Sequence, residues 1–209
     1  MAKINEVATA VENGKTKLVA DLVQGALDEG SSANDILAAM IDAMGIVGNK
    51  FSAGEIFVPE MLIAARTMSK GVEVLTPLLA ADGGSSLGKC IIGTVAGDLH
   101  DIGKNLVSMM IGAAGFEMID LGVDVPDEKF VEAIKANPDV KVVALSALLT
   151  TTMPAMKSAA AAIKASGLTG FKILVGGAPI TQEFADEIGA DGYAVDAGTA
   201  ATKAKELIA

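Results

Sequence analysis

Gly97-Asp98-Leu99-His100-Asp101-Ile102-Gly103-Lys104-Asn105 lies between two apolar runs, residues 91–96 and 106–114. A short apolar run, a glycine-bounded polar segment and a longer apolar run predict strand, loop and helix. His100 is the only histidine in 209 residues. It falls in a loop at the carboxyl end of a first strand, where open α/β sheets bind ligands. Asp98 stands two residues earlier, and in an extended segment residues i and i+2 point the same way. A carboxylate so placed can hold one imidazole nitrogen and leave the other for a metal.

Working toward the carboxyl end, strands and helices alternate from Lys89 onward. Strands are expected at 91–95, 117–121, 142–145, 172–175 and 192–194. Helices are expected near 104–114, 127–136, 154–166, 181–188 and 198–208. Asp127 is a candidate cap for the second helix, and Thr152 for the third, which Pro154 opens. This βαβ alternation requires a parallel sheet with right-handed crossovers, and five strands fit the flavodoxin-like, doubly wound order 2-1-3-4-5. Three loops then meet over the carboxyl ends of strands one, three and four: 97–103, 146–152 and Gly176-Gly177-Ala178-Pro179. They bring hydroxyls to one side of a crevice and bare backbone, open to close approach by a large ligand, to another.

Toward the amino end the periodicity is helical throughout. Ile4, Val7, Ala8 and Val11 mark a first helix, ended by Asn13-Gly14. Leu18, Val19, Leu22, Val23, Ala26 and Leu27 mark a second. Ile36, Leu37, Met40, Ile41, Met44 and Val47 mark a third, with caps available in residues 31–34. Residues 51–56 break the pattern. A fourth helix starts around Pro59 and carries Met61, Ala65, Met68, Val72, Leu75 and Leu79. Short connections imply a four-helix bundle over 1–82. The Gly/Ser-rich segment 83–89 reads as a flexible linker, and 90–209 as a Rossmann-like domain.

The formal charge of −10 argues against nucleic acid, whose phosphates need a basic surface. One cysteine, Cys90, allows no internal disulfide, suits a reducing compartment and reads as a small buried hydrophobe. No apolar stretch is long enough for a membrane span, and the first residues lack a signal-peptide core. A cytoplasmic location is expected.

The ligand is narrowed by what is missing. G-x-G-x-x-G does not follow strand one, and 97–104 has one residue too many for a P-loop, with Asn105 where magnesium would need Ser or Thr. A phosphate receiver needs an aspartate after strand three, where Ser146 stands. With one histidine and one cysteine, zinc would depend almost wholly on carboxylates. A single imidazole suffices when a macrocycle supplies the remaining metal ligands, which points to a haem or a corrin.

Asp98-x-His100-x-x-Gly103, Ser146-x-Leu148 and Gly176-Gly177 together resemble the motifs of cobalamin-binding domains, as in methionine synthase, the mutases and small corrinoid methyl carriers. The preceding bundle resembles the cap of the methionine synthase and methyl-carrier branch, so the likeness covers essentially the whole chain. It implies a corrinoid protein of a three-component methyltransferase system. Such a protein carries a methyl group on cobalt between a substrate-specific methyltransferase and a second enzyme that delivers it to tetrahydrofolate or coenzyme M. A reductive activase is a further implied partner, and the cobalamin or related corrinoid would pass through cobalt(III), cobalt(II) and cobalt(I). By the same likeness, His100 is the axial ligand, and Asp98 with Thr152 forms a relay behind it. Gly97, Leu99, Asp101, Ile102 and Gly103 complete the ligand loop. Ser146, Leu148, Thr150, Gly176 and Gly177 lie along the cofactor's nucleotide tail, and Ala197 is a further contact. Phe51 and Val58 cover the upper corrin face, although the family's cap has leucine in place of Val58. Corrinoid-binding sensors and storage proteins are the alternatives; a storage protein has no need of the Asp98 relay.

Overall fold

A computed structural model describes residues 2–81 and 86–209. The chain divides into two compact units, Met1–Ser86 with Ala113–Gly115, and Leu87–Gly112 with Phe116–Ala209. Of the expected linker, residues 83–85 lie outside the described residues. Lys89 already belongs to the first strand, because it pairs with Glu117 and Val140.

The first unit is built on four helices: α1 (Ala2–Glu12), α2 (Val19–Asp28), α3 (Ala33–Ser52) and α4 (Val58–Ala81). Their apolar stripes supply the buried Val7, Val11, Val23, Ile36, Met40, Met44, Met61 and Leu75. Each such side chain contributes about 1.5–3 kcal/mol on leaving water. Ser32 caps α3, its hydroxyl oxygen accepting the Asp35 N–H at 3.0 Å. The break expected after residue 50 comes slightly later, since α3 continues through Phe51 to Ser52. The Glu60 carboxylate accepts the Phe57 N–H at 3.0 Å where α4 begins.

The second unit alternates β1 (Lys89–Thr94), α5 (Ile102–Ala113), β2 (Glu117–Asp120), α6 (Asp127–Ala136), β3 (Val140–Ser146), a 3₁₀ turn (Thr150–Thr152), α7 (Met153–Ala165), β4 (Lys172–Gly176), α8 (Gln182–Ile188), β5 (Gly192–Ala194) and α9 (Ala197–Glu206). All strand pairs are parallel, in the order β2-β1-β3-β4-β5. The order is the expected one, and its three central strands, β1, β3 and β4, are buried and need helices on both faces. Ile91, Val143, Leu145 and Val175 from the sheet pack with Phe130, Met156 and Ile163 from the helices in one buried core. Thr94 pairs with Ser146, Ser146 with Gly176, and Gly176 with Ala194. Four strands therefore end at one level, and the loops that follow them leave from one edge.

Two expected caps are corrected. Asp127 is the first residue of α6, Pro126 holds the capping position, and the Asp127 carboxylate instead accepts the Ser158 hydroxyl. Thr152 makes no capping bond to α7, because its hydroxyl is engaged elsewhere.

Candidate functional site

The loop after β1 is fixed by its own backbone. Val95 N–H donates to the Ser146 carbonyl at 3.0 Å, and Asp98 N–H to the Val95 carbonyl at 3.1 Å. The turn between them needs a positive φ at Gly97, +79°, which glycine adopts without steric penalty. The buried Thr94 hydroxyl donates to the His100 carbonyl at 2.9 Å. Helix α5 begins at Ile102, two residues before the expected start, so Ile102, Gly103 and Lys104 form its first turn.

The Asp98 side chain is fully buried, and its two oxygens accept four hydrogen bonds. Oδ1 takes the His100 N–H at 3.1 Å and the His100 ring Nδ1 at 2.7 Å. Oδ2 takes the Leu148 N–H at 2.7 Å and the Thr152 hydroxyl at 2.8 Å. An ionised carboxylate offers about four lone-pair sites, and here all are filled. Burial pushes the Asp98 carboxyl up, but the bonds from Leu148, His100 and Thr152 together outweigh it and hold the group well below the usual carboxylate range. Asp98 is thus an ionised acceptor at neutral pH, which requires the proton of a neutral His100 ring to sit on Nδ1. The Nε2 lone pair is then the free donor atom. The His100 side chain is 48% exposed. Apolar side chains flank it in the chain and across the Asp98 bonds: Leu99 is 72% exposed, Ile102 76%, Leu148 43%.

Elsewhere the expected residues have more than one fate. Ser146 is half-buried at the strand edge, and Thr150 is exposed in the 3₁₀ turn. Gly176 and Gly177 are required by the chain itself. A Cβ on Gly177, at φ +133°, would lie 1.8 Å from the Ala147 carbonyl oxygen, and one on Gly176 2.9 Å from that of Ala194. Ala197 is buried in the first turn of α9, whose cap is Asp196. Asp101 is exposed, its carboxylate accepting the Asn105 side-chain N–H at 3.2 Å. Phe51 and Val58 belong to the helical unit, Phe51 half-buried in the last turn of α3 and Val58 exposed at the start of α4.

Two residues that sequence reasoning did not assign stand behind the loop. The Lys104 side chain, 3% exposed, donates from Nζ to Asp120 Oδ2 at 2.5 Å and Asn105 Oδ1 at 2.7 Å. The ammonium that gave the loop a faint likeness to a P-loop is therefore turned to a carboxylate at the end of β2. Asp124 is the only non-glycine residue with positive φ among the described residues, +52°. It accepts the Gly97 N–H at 2.7 Å and donates its own N–H to the Asp98 carbonyl at 2.9 Å. The signal for it was Gly122-Val123-Asp124-Val125-Pro126, since aspartate tolerates the left-handed region better than most residues.

A doubly wound sheet whose first loop offers one carboxylate-held imidazole among exposed apolar side chains is an α/β domain suited to a ligand that needs a single protein nitrogen donor. Among the described residues no three His, Cys, Asp or Glu side chains converge as a metal cage, and the free Nε2 fits a metal that needs only an axial donor. Residues 88–204 match the model of a B12 binding domain, and residues 3–76 match a second B12 binding domain model. The chain belongs to this B12-binding family, and its cofactor is a cobalamin or related corrinoid. It is 43% identical over 209 residues to dimethylamine corrinoid protein 1 of Methanosarcina acetivorans, covering 99% of this chain and 97% of that one. Among solved structures it is similar to a cobalamin-binding protein from Desulfitobacterium hafniense, with TM-score 0.84, 29% identity, and 99% and 98% of the two chains covered. It is also similar to a chain of the methanol:cobalamin methyltransferase complex from Methanosarcina barkeri, with TM-score 0.82, 29% identity, and 99% and 80% covered. Among the described residues no helix is long and apolar enough to cross a membrane.

Proposed function

We propose that this chain carries a methyl group on a corrinoid between a methyltransferase that demethylates a methylamine and a second enzyme that passes the methyl to tetrahydrofolate or coenzyme M. The observation that carries the reading is the bonded series Thr152–Asp98–His100, which leaves Nε2 as the one outward donor. The methylamine donor is taken from the full-length likeness to a dimethylamine corrinoid protein.

The corrin supplies the methyl-transfer chemistry when bound. His100 would hold its metal through Nε2, the ring nitrogen that Asp98 leaves available. Asp98 keeps the ring proton on Nδ1 and raises the basicity of Nε2. Thr152 Oγ1 lies 2.8 Å from Asp98 Oδ2 and 2.9 Å from the Leu149 carbonyl oxygen. Its single proton can serve either acceptor, so the fourth site on Asp98 can be filled or released as the load on His100 changes. Ser146, Thr150, Gly176, Gly177 and Ala197 are assigned to the nucleotide tail. A reductive activase completes the set of partners.

The test is a methyl-transfer assay with the corrin-loaded protein, dimethylamine methyltransferase and each acceptor enzyme in turn. Dimethylamine-dependent methylation of the cobalt, followed by transfer to one acceptor, is expected. Tight corrin binding with no transfer from any methylamine would instead favour storage or sensing. In the loaded cobalt(II) form, paramagnetic resonance should show splitting from one nitrogen, and labelling of His100 should alter it.

A further inference from the structure

We propose that Asp124 is a positioning residue for the axial-ligand site, clamping the turn that aims the Asp98 carboxylate at His100. Asp98 must meet four donors from three directions at once, so the orientation of its backbone fixes whether all four bonds form. That backbone is gripped from outside by one residue. The Asp124 carboxylate accepts the Gly97 N–H at 2.7 Å, and the Asp124 N–H donates to the Asp98 carbonyl at 2.9 Å. Two bonds of opposite sense, one to the peptide unit on each side of the Gly97–Asp98 peptide, resist both sliding and rotation of the turn.

Asp124 makes this grip in the left-handed region, at φ +52°. A non-glycine residue stays there only where its surroundings over-determine it, and aspartate or asparagine does so with least strain. The surroundings are visible. Val125 N–H donates to the Thr94 carbonyl at 2.9 Å, Thr94 N–H donates to the Gly122 carbonyl at 3.0 Å, and Val95 and Val125 form a parallel bridge. The segment from Gly122 to Val125 is thus sewn along the end of β1, and Asp124 extends that seam by one further residue pair onto the Gly97–Asp98 turn. Asp124 is exposed and is joined to His100 through Asp98, so it acts on the ring through that carboxylate.

The inference rests on His100 as the axial donor, and its test uses the full chain without corrin so that the two can fail separately. The probe is the His100 ring, observed by nitrogen-15 and proton resonance as the only histidine of the chain. In the parent protein Nδ1–H should be retained in its bond to Asp98. Asp124→Ala removes the acceptor and keeps the backbone strain, whereas Asp124→Gly removes the acceptor and relieves it. Asp124→Asn keeps both the acceptor and the tolerance of φ +52°. Both Ala and Gly variants should exchange the Nδ1 proton roughly tenfold faster, as expected for loss of one hydrogen bond behind the site. The Asn variant should retain the parent spectrum. Parent-like exchange in the Gly variant overturns the proposal even where the Ala variant does not fold, because glycine accepts this backbone conformation freely. If the clamp holds while the loaded protein shows no His100 nitrogen on cobalt, the ligand assignment fails and the positioning role of Asp124 stands.

Discussion

His100 Nδ1 lies 2.7 Å from Asp98 Oδ1, and the same carboxylate holds the Thr152 hydroxyl at 2.8 Å on its other oxygen. The three side chains come from the β1–α5 loop and from the turn before α7, more than fifty residues apart in the chain. Asp98→Asn tests the centre of this arrangement. An amide cannot accept all four bonds, so one N–H is left facing another. That costs about 1–3 kcal/mol in the corrin-free protein, measurable by denaturant unfolding. In the loaded protein Nε2 becomes a weaker donor, and reduction of cobalt(II) to cobalt(I) should become easier in a potentiometric titration.

The low Asp98 value also sets a pH dependence. A carboxyl depressed in the native state stabilises fully above its unfolded value of about 3.9, and the contribution is lost as pH falls toward the native value. The stability difference between the parent protein and Asp98→Asn should therefore be constant above about pH 5 and shrink steadily below it. A difference that stayed flat down to the acid-unfolding range would count against the depressed carboxyl.

Thr152→Val removes one hydroxyl at nearly constant volume. Asp98 Oδ2 keeps the Leu148 N–H, so it is not left bare. The expected cost is about 1.5–3 kcal/mol, the value of one hydrogen bond to a charged acceptor. Thr152→Ser should restore both stability and the cobalt midpoint potential. Restoration of stability without restoration of the potential would separate the hydroxyl's packing role from its relay role.

Much of this was legible because it is local. Strand periodicity, the glycine-bounded loop and the i, i+2 spacing of Asp98 and His100 are short-range signals, and they suffice for the order 2-1-3-4-5 and for the pairing of carboxylate and ring. What stayed hidden is set by tertiary contact. The residue pattern alone reads Thr152 as a cap before Pro154; only the family resemblance linked it to Asp98, 54 positions earlier, which holds its hydroxyl. Gly176 and Gly177 read as room for a ligand, while the carbonyl oxygens of Ala194 and Ala147 already fill the space a Cβ would take. Lys104 carries no sequence mark of a buried ion pair, because its partner at the end of β2 is 16 residues away.

Cys90 is fully buried in β1, and burial pushes its thiol up to about 12. Alkylation needs the thiolate, so native protein at pH 8 should resist iodoacetamide while denaturant-unfolded chains react. A thiol raised in the folded state stabilises fully below its unfolded value of about 8.5, and this is lost as pH rises toward the native value. Stability should thus fall through the alkaline range in the parent protein, and less steeply in Cys90→Ala. Fast alkylation of the folded chain would show that β1 opens locally.

Lys104 and Asp120 predict an asymmetric pair of variants. The ammonium is buried, whereas the Asp120 side chain is 39% exposed and also accepts the Gly122 N–H at 2.8 Å. Lys104→Met replaces the stem with an apolar chain of similar length and leaves a carboxylate that water can reach, costing about 1 kcal/mol. Asp120→Asn leaves a charge without its counter-ion in a dry setting, costing about 3 kcal/mol. The double variant should lie close to Lys104→Met, because the stranded ammonium is gone. Denaturant unfolding of the three variants checks the order. Equal costs for the two single changes would place the ion pair in contact with water. A double variant as unstable as the sum would show that the pair is not what couples the first turn of α5 to the end of β2.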